Sequence, residues 1–288
     1  MSLLLIYRKL GHECRLRIDS PTLEPLARCL QSSSLIREET CSSSTPADLA
    51  WVGSSAPDRQ LLLHGQPWPV APLTASQLYL QTDHLLDHLP RQVSPQSVFL
   101  HAGAVVAPTG QALLICGSSG AGKTSLVTAC LAQGWAWLSD ELLAFPGPLW
   151  HSMHGAKRNF NLKARSFSHF PQTASAPGTF ELPLPDSRQR IRFFNPDALH
   201  PGLHRPTAPL RALIFPQFSP TAPLPPSPLS QAETASRLAS ELLSRHPHAF
   251  AWLASASRLA PSFLLPYHHP RDAVPVLADL AQQLAPLP

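Results

Sequence analysis

The sequence predicts an α/β protein in two parts: a small N-terminal α/β unit (residues 1–95), then a larger α/β domain built on a glycine-rich loop (96–288). Three observations predict it. A period-2 apolar pattern at Cys14, Leu16 and Ile18 passes into helical spacing at Leu23, Leu26, Ala27 and Leu30. The wholly apolar run Ala112–Cys116 enters a glycine-rich loop that opens into an amphipathic helix. Finally, the chain has 33 prolines in 288 residues, which exclude a helical bundle or coiled coil as the whole fold. Each interior Pro removes a helix hydrogen bond and crowds the preceding turn.

The elements follow in order. Residues 14–18 read as a half-buried strand, because Arg15, Arg17 and Asp19 alternate with the apolar positions. Ser20-Pro21 supplies an N-cap and a Pro at the first helical position. Residues 31–48, rich in Ser and Thr, read as loop. Leu78, Leu85, Leu86 and Leu89 share one face of a helix from Ala75 to Leu89, which Pro90 and Pro95 end. The domain boundary falls there.

Beyond it, Ser97–Ala107 and Ala112–Cys116 read as strands joined by a turn at Pro108-Thr109-Gly110. A helix spans Thr124–Gln133 with Gly134 as its stop signal. Trp135–Phe145 is a further strand, interrupted by Asp140 and Glu141. Arg188–Phe194 and Leu210–Phe218 are strand candidates. Residues 206–228 carry eight prolines and read as an extended surface connection. Helices over 229–244 and 247–257, a strand at Ser262–Tyr267 and a helix from Arg271 complete the chain.

Composition bounds the function. The net charge of +4, with no basic run longer than two residues, gives no reason to expect a nucleic-acid partner. The apolar run at the N-terminus is shorter than a signal peptide needs, and its positive charges, Arg8 and Lys9, follow it. No stretch approaches the roughly 18 apolar residues of a membrane helix, so no membrane partner is expected. The five cysteines include no C-x-x-C pair, which favours reduced thiols and a cytoplasmic setting.

The informative motif is Gly117-Ser118-Ser119-Gly120-Ala121-Gly122-Lys123-Thr124, a full match to G-x-x-x-x-G-K-[ST]. Backbone N–H groups can turn inward on phosphate oxygens only where side chains do not obstruct, and the following helix presents its positive end to the same anion. Lys123 is then expected to reach the β- and γ-phosphates of a nucleotide, and the Thr124 hydroxyl to ligate magnesium. Ser125 completes the candidate nucleotide-binding set. With only four lysines and 13 glycines in the chain, a chance match is expected roughly once in a thousand such sequences. No N-K-x-D motif is present to read guanine. The acidic pair Asp140-Glu141 stands 17 and 18 residues past Lys123, the span of one helix and a returning strand. One acid of the pair, Asp140 or Glu141, is placed to hold magnesium and the other to take a proton from an attacking hydroxyl.

These residues resemble the HPr kinase/phosphorylase catalytic domain and its relatives. The resemblance rests on Leu100-His101 ahead of the loop, the loop itself, the helix ending at Gly134 and the acidic pair, roughly residues 97–145. It implies a P-loop kinase domain of the HPr kinase C-terminal type, with ATP and Mg²⁺ as cofactors. It further implies that His101 assists the acidic base, Lys123 binds phosphate, Glu141 is the base, and Thr124 and Asp140 meet the metal. The chain departs from the family proper at Glu141, where the family has a second aspartate, and near Ser166, where it has a second magnesium-binding glutamate. The chain is thus more similar to the HPr-kinase-related group than to enzymes acting on HPr. The expected partners are a nucleotide and a hydroxyl-bearing acceptor, with Ser in a peptide or protein, or a small molecule, as candidates. Self-association is left open. The alternative is a nucleotide-binding regulatory or maturation partner without phosphotransfer. Two further expectations concern Lys157, Arg158, Lys163 and Arg165, as a surface or a phosphate-contacting set, and residues 1–95, as an acceptor- or partner-recognition module.

Overall fold

The computed structural model describes residues 2–30, 34–53, 58–69, 74–146, 151–183, 189–219 and 225–284. The chain begins with β1 (Ser2–Lys9), β2 (His12–Ile18), α1 (Glu24–Cys29), β3 (Leu35–Cys41), β4 (Leu49–Val52), β5 (Gln60–Leu63), β6 (Gln66–Pro67) and α2 (Ala75–Val93). It continues through β7 (Val98–Val106), β8 (Ala112–Cys116), α3 (Lys123–Ala132), β9 (Ala136–Ser139), β10 (Leu142–Phe145) and β11 (Ser152–Gly155). Then come β12 (Phe160–Lys163), β13 (Phe180–Pro183), β14 (Arg190–Phe194) and α4 (Pro196–Leu199). The last elements are β15 (Thr207–Phe218), β16 (Ser227–Pro228), α5 (Gln231–Glu241), α6 (Pro247–Leu259), β17 (Ser262–Tyr267) and α7 (Pro270–Gln283). This is a mixed α/β protein with several sheets. Among the described residues no helix is long and apolar enough to cross a membrane.

The chain divides into two units. Unit 1 is Met1–Val93 with Arg158–Phe167 and Gln172–Ala198; unit 2 is Ser94–Lys157 with Ser168–Pro171 and Leu199–Pro288. The first break between them falls between Val93 and Ser94. Residues 158–167 and 172–198, however, which the sequence assigns to the larger domain, pack within unit 1.

Unit 1 is built on a sheet of order β3-β1-β2-β4-β5-β6, antiparallel except for β2–β4. The β1–β2 hairpin turns at Leu10-Gly11 with φ of 49° and 86°, the left-handed pair that matches the twist of a tight hairpin. Leu5, Tyr7, Leu16, Ile18, Leu49 and Trp51 bury one sheet face against Leu78, Tyr79, Leu85 and Leu86 of α2. The Trp51 indole N–H donates to Thr82 Oγ1 at 2.7 Å, so this large ring is buried without an unmatched donor. β12, β14 and β13 form a three-stranded antiparallel sheet. From it Phe180 and Phe193 each meet the Tyr79 ring edge-on at 4.9 Å.

A charged network lies inside this unit. Arg158 Nη2 bonds Asp83 Oδ2 at 2.5 Å, Arg158 Nη1 bonds Asp87 Oδ2, and Lys9 Nζ meets Asp87 Oδ1 at 3.2 Å. Lys9 is fully buried and the Arg158 side chain is only 3% exposed, so two cations and two carboxylates neutralise each other away from water. Burial lowers the Lys9 ammonium from its ordinary value against the pull of Asp87.

The N-terminal apolar run Leu3–Tyr7 is a strand buried throughout. Three segments differ from expectation. Residues 35–41 form an edge strand, not loop. They are exposed on both faces, so no alternation marks them, and main-chain pairing to β1 holds them in place. α2 runs through Pro90 to Val93, because a Pro in the last turn removes a single bond near the helix end. Residues 207–218 of the proline-rich segment form a central strand buried from Ala212 to Pro216, as expected for Leu210–Phe218 and not as a surface connection. Pro216 is tolerated because pairing with β8 has ended at Ile214. Residues 220–224 of that segment lie outside the described residues.

In unit 2, β7 pairs with β8 along one edge and with β10 and then β9 along the other. β15 runs parallel to β8 and β17, while its first residues pair with β11, which also pairs with β10. These pairings close a ring β7-β8-β15-β11-β10. Leu100, Ala102, Leu114, Leu213, Phe215, Leu238 and Trp252 share its core, and the Phe145 and Trp252 rings meet tilted at 49° with centroids 4.5 Å apart. Gly103 on β7 lets α3 lie close, since a Cβ there would come within 2.7 Å of Val127 Cγ2. All five cysteines are unbridged, and burial pushes the Cys116 and Cys130 thiols well up.

Candidate active site

The loop lies between two elements buried for simple reasons. β8 is apolar at every position and sits between β7 and β15, and α3 buries Leu126, Val127, Ala129 and Cys130. Between them Gly120 and Gly122 take φ of 93° and 101°, conformations that only glycine adopts cheaply. Gly122 is required twice over, because a Cβ there would sit 1.7 Å from Tyr267 Oη, which itself lies 3.4 Å from the Ala121 carbonyl it donates to. The first helical bond runs from Leu126 N–H to Gly122 O at 2.9 Å, so the N–H groups of the first turn lie ahead of the helical ladder. Ser118, Ser119 and Gly120 are exposed, Thr124 is half-buried and Ser125 is buried.

Lys123 is buried at the head of α3, with Nζ donating to Gly117 O and lying 4.0 Å from Glu241 Oε2. That same carboxylate oxygen meets His101 Nδ1 at 2.9 Å, and His101 Nε2 meets Glu141 Oε1 at 3.0 Å. His101, Lys123 and Glu141, picked from the sequence, are therefore brought together, with Glu241 as the link. Local structure explains the placement of Glu141. The β7–β10 register sets Leu142 opposite His101, and the Ala102 N–H donates to Glu141 O at 3.2 Å. The Ser139 hydroxyl donates to Ala156 O at 3.0 Å and accepts from Leu142 N–H at 3.2 Å, turning the chain between β9 and β10. Asp140 is buried at this turn, its Cα 3.7 Å from where a Cβ on Gly103 would stand.

Both His101 nitrogens face carboxylates, so the ring is held as an imidazolium. Hydrogen bonding to Glu141 and then to Glu241 raises its pKa to about 9, against burial and the nearby Lys123 charge. A pKa raised above the ordinary value of about 6.5 gives stability that is fully present below that value and lost as pH rises through about 9. Urea unfolding of wild type should therefore weaken between pH 7 and 10 relative to His101→Gln. Parallel pH profiles for the two proteins would show that the ring is not held charged.

Other sequence candidates fall elsewhere. Arg158 is neither a surface residue nor a phosphate contact: it is consumed by Asp83 and Asp87 in unit 1. Lys163, Arg165 and Ser166 also belong to unit 1. Glu241 was missed. Its signal was present, since Thr234, Leu238 and Glu241 form one buried helical stripe, and a Glu on such a stripe needs a partner. Among the described residues no group of three or more His, Cys, Asp or Glu is arranged to hold a metal ion.

No protein-family model matches the chain, and no curated protein matches it. Among solved structures, the Hpr(Ser) kinase/phosphatase from Coxiella burnetii is similar at 11% identity, covering 64% of this chain and 93% of that one, with a TM-score of 0.34. A likeness at that level assigns neither family nor reaction.

Proposed function

We propose that the chain is an ATP-dependent phosphotransferase that moves the γ-phosphoryl group to a hydroxyl of a peptide, a protein or a small molecule. One observation carries the reading: an unbroken path of charged groups, Lys123–Glu241–His101–Glu141, runs from the phosphate loop to a half-exposed carboxylate in steps of 4.0, 2.9 and 3.0 Å. In this reading residues 117–122 and the first turn of α3 cradle the phosphates, and Lys123 exchanges Gly117 O for a phosphate oxygen. Magnesium takes hard oxygen ligands and typically only one or two from protein, the rest being phosphate and water. The Thr124 hydroxyl and the Asp140 carboxylate fit that donor chemistry and would hold it. Bound there, magnesium supplies neutralisation of phosphate charge. Glu141 accepts the proton of the acceptor hydroxyl as the new O–P bond forms and the bond to the β-phosphate oxygen breaks, releasing ADP. The charged His101 keeps Glu141 oriented. Unit 1 holds none of these residues, and in this reading it recognises the acceptor or a partner, in a cytoplasmic setting.

The test is calorimetry with Mg-ATP. Lys123→Ala should bind about 10- to 100-fold more weakly, the worth of a charge-assisted hydrogen bond of roughly 1.5–3 kcal/mol, with an unchanged circular dichroism spectrum. Equal affinity would remove the reading. A second reading, a nucleotide-binding regulatory or maturation partner without transfer, draws on one observation. Glu141 is already bonded to a cation, which weakens it as a base. Wild-type protein that binds ATP yet phosphorylates no hydroxyl acceptor would favour it.

A further inference from the structure

We propose that Glu241 is a positioning residue of this site: it fixes the His101 ring through Nδ1 and is the buried counter-ion from which Lys123 is released to a nucleotide phosphate. This rests on the phosphotransferase reading above. The placement of Glu241 is costly for the fold alone. It is the last residue of α5, where the helix carbonyls already concentrate negative charge, and it is 4% exposed. A carboxylate there persists only if cations pay its desolvation. Two do, and both use Oε2: His101 Nδ1 at 2.9 Å and Lys123 Nζ at 4.0 Å. The remaining oxygen, Oε1, accepts from the Ser240 hydroxyl at 3.3 Å.

The backbone fixes this spacing. A capping box of Ser230 and Glu233 closes the start of α5. Just past its end, Leu243 N–H donates to Phe99 O at 2.9 Å and Phe99 N–H donates to Ser244 Oγ at 2.9 Å. The end of α5 is thereby tied to β7 two residues before His101. An imidazole has two nitrogens, so with Nδ1 pinned by Glu241 the ring can meet Glu141 only through Nε2. Lys123 and His101 compete for one oxygen. When Lys123 turns to a phosphate, the whole of that carboxylate falls to His101, and the imidazolium that orients Glu141 is held more firmly as the nucleotide arrives.

The experiment follows the His101 ring by NMR across pH in the full-length protein. The groups facing it are Glu141 from the β9–β10 turn, Glu241 from α5 and Lys123 from α3. Glu241→Gln keeps a hydrogen-bond acceptor but removes the charge, and should lower the His101 midpoint by about one pH unit or more. It should bind Mg-ATP no more weakly than wild type, because Lys123 loses its competing anion, while phosphoryl transfer falls: a loss in kcat without a rise in KM. Lys123→Met should move the midpoint the other way, upward, which serves if the Gln variant does not fold. An unchanged midpoint in either folded variant overturns the proposal. If wild type does not bind Mg-ATP, the phosphotransferase reading fails, and the midpoint shifts still test whether Glu241 holds the ring.

Discussion

Glu141→Gln is expected to cut phosphoryl transfer by about 10²–10⁴-fold, the usual worth of a general base, while Mg-ATP affinity stays within a few-fold of wild type. The separation follows from position. Glu141 is linked to Lys123 through His101 and Glu241, and removing its charge leaves the Gly117 carbonyl, Lys123 and the first turn of α3 chemically unaltered. The amide can still accept the hydrogen bond from His101 Nε2, so the ring need not turn. What is lost is the capacity to take a proton. Asp140→Asn should also reduce transfer, with the loss growing as magnesium is lowered, because its expected role is at the metal. Single-turnover transfer to a hydroxyl acceptor, measured beside calorimetric binding, separates the effects. Full activity in both variants would make the acidic pair structural and return Glu141 to the role of a strand-end carboxylate.

The largest expected loss of stability lies in unit 1. Arg158→Met should destabilise unit 1 by about 3–5 kcal/mol, because it leaves two buried carboxylates, Asp83 and Asp87, to share Lys9. The damage should be local. In hydrogen exchange, amides of β1 and α2 should lose protection while those of β8 and β15 keep theirs. Adding Asp83→Asn to the Met variant should recover part of the loss by removing one of the two buried charges that Arg158 neutralises. A folding free energy within about 1 kcal/mol of wild type would show that the network does not hold the unit together.

The loop, α3 and the acidic turn were readable from the chain because each is governed by local rules. Gly122 must be glycine, α3 must start where the loop ends, and a returning strand can bring Glu141 back only at about that spacing. What was not readable depends on partners distant in the chain. Arg158 looks like any other surface arginine until Asp83 and Asp87, more than seventy residues earlier, are brought against it. Phe180 and Phe193 are large and apolar, but periodicity does not say against which core they pack. Glu241 shares the buried stripe of α5 with Thr234 and Leu238, but only the folding of α5 onto β7 supplies the partners that make it a link between His101 and Lys123. β3 carries no alternating pattern, since most of its side chains are exposed and its register is set by hydrogen bonds to β1.

Unit 1 is assembled from residues 1–93 together with 158–167 and 172–198, and this interruption sets a timetable for biosynthesis. A ribosome adds about 5–20 residues each second, so the first 93 residues wait roughly 5–20 s for Phe180, Leu182, Ile191 and Phe193 to emerge and cover Tyr79 and its neighbours. Asp83 and Asp87 wait likewise for Arg158. During that interval β7 to β11 have been made, but β15, which closes their ring, has not. Neither core can be completed early, and the nascent chain passes through a long stage with both open, the stage at which a holding chaperone or a slower stretch of message would matter most for yield.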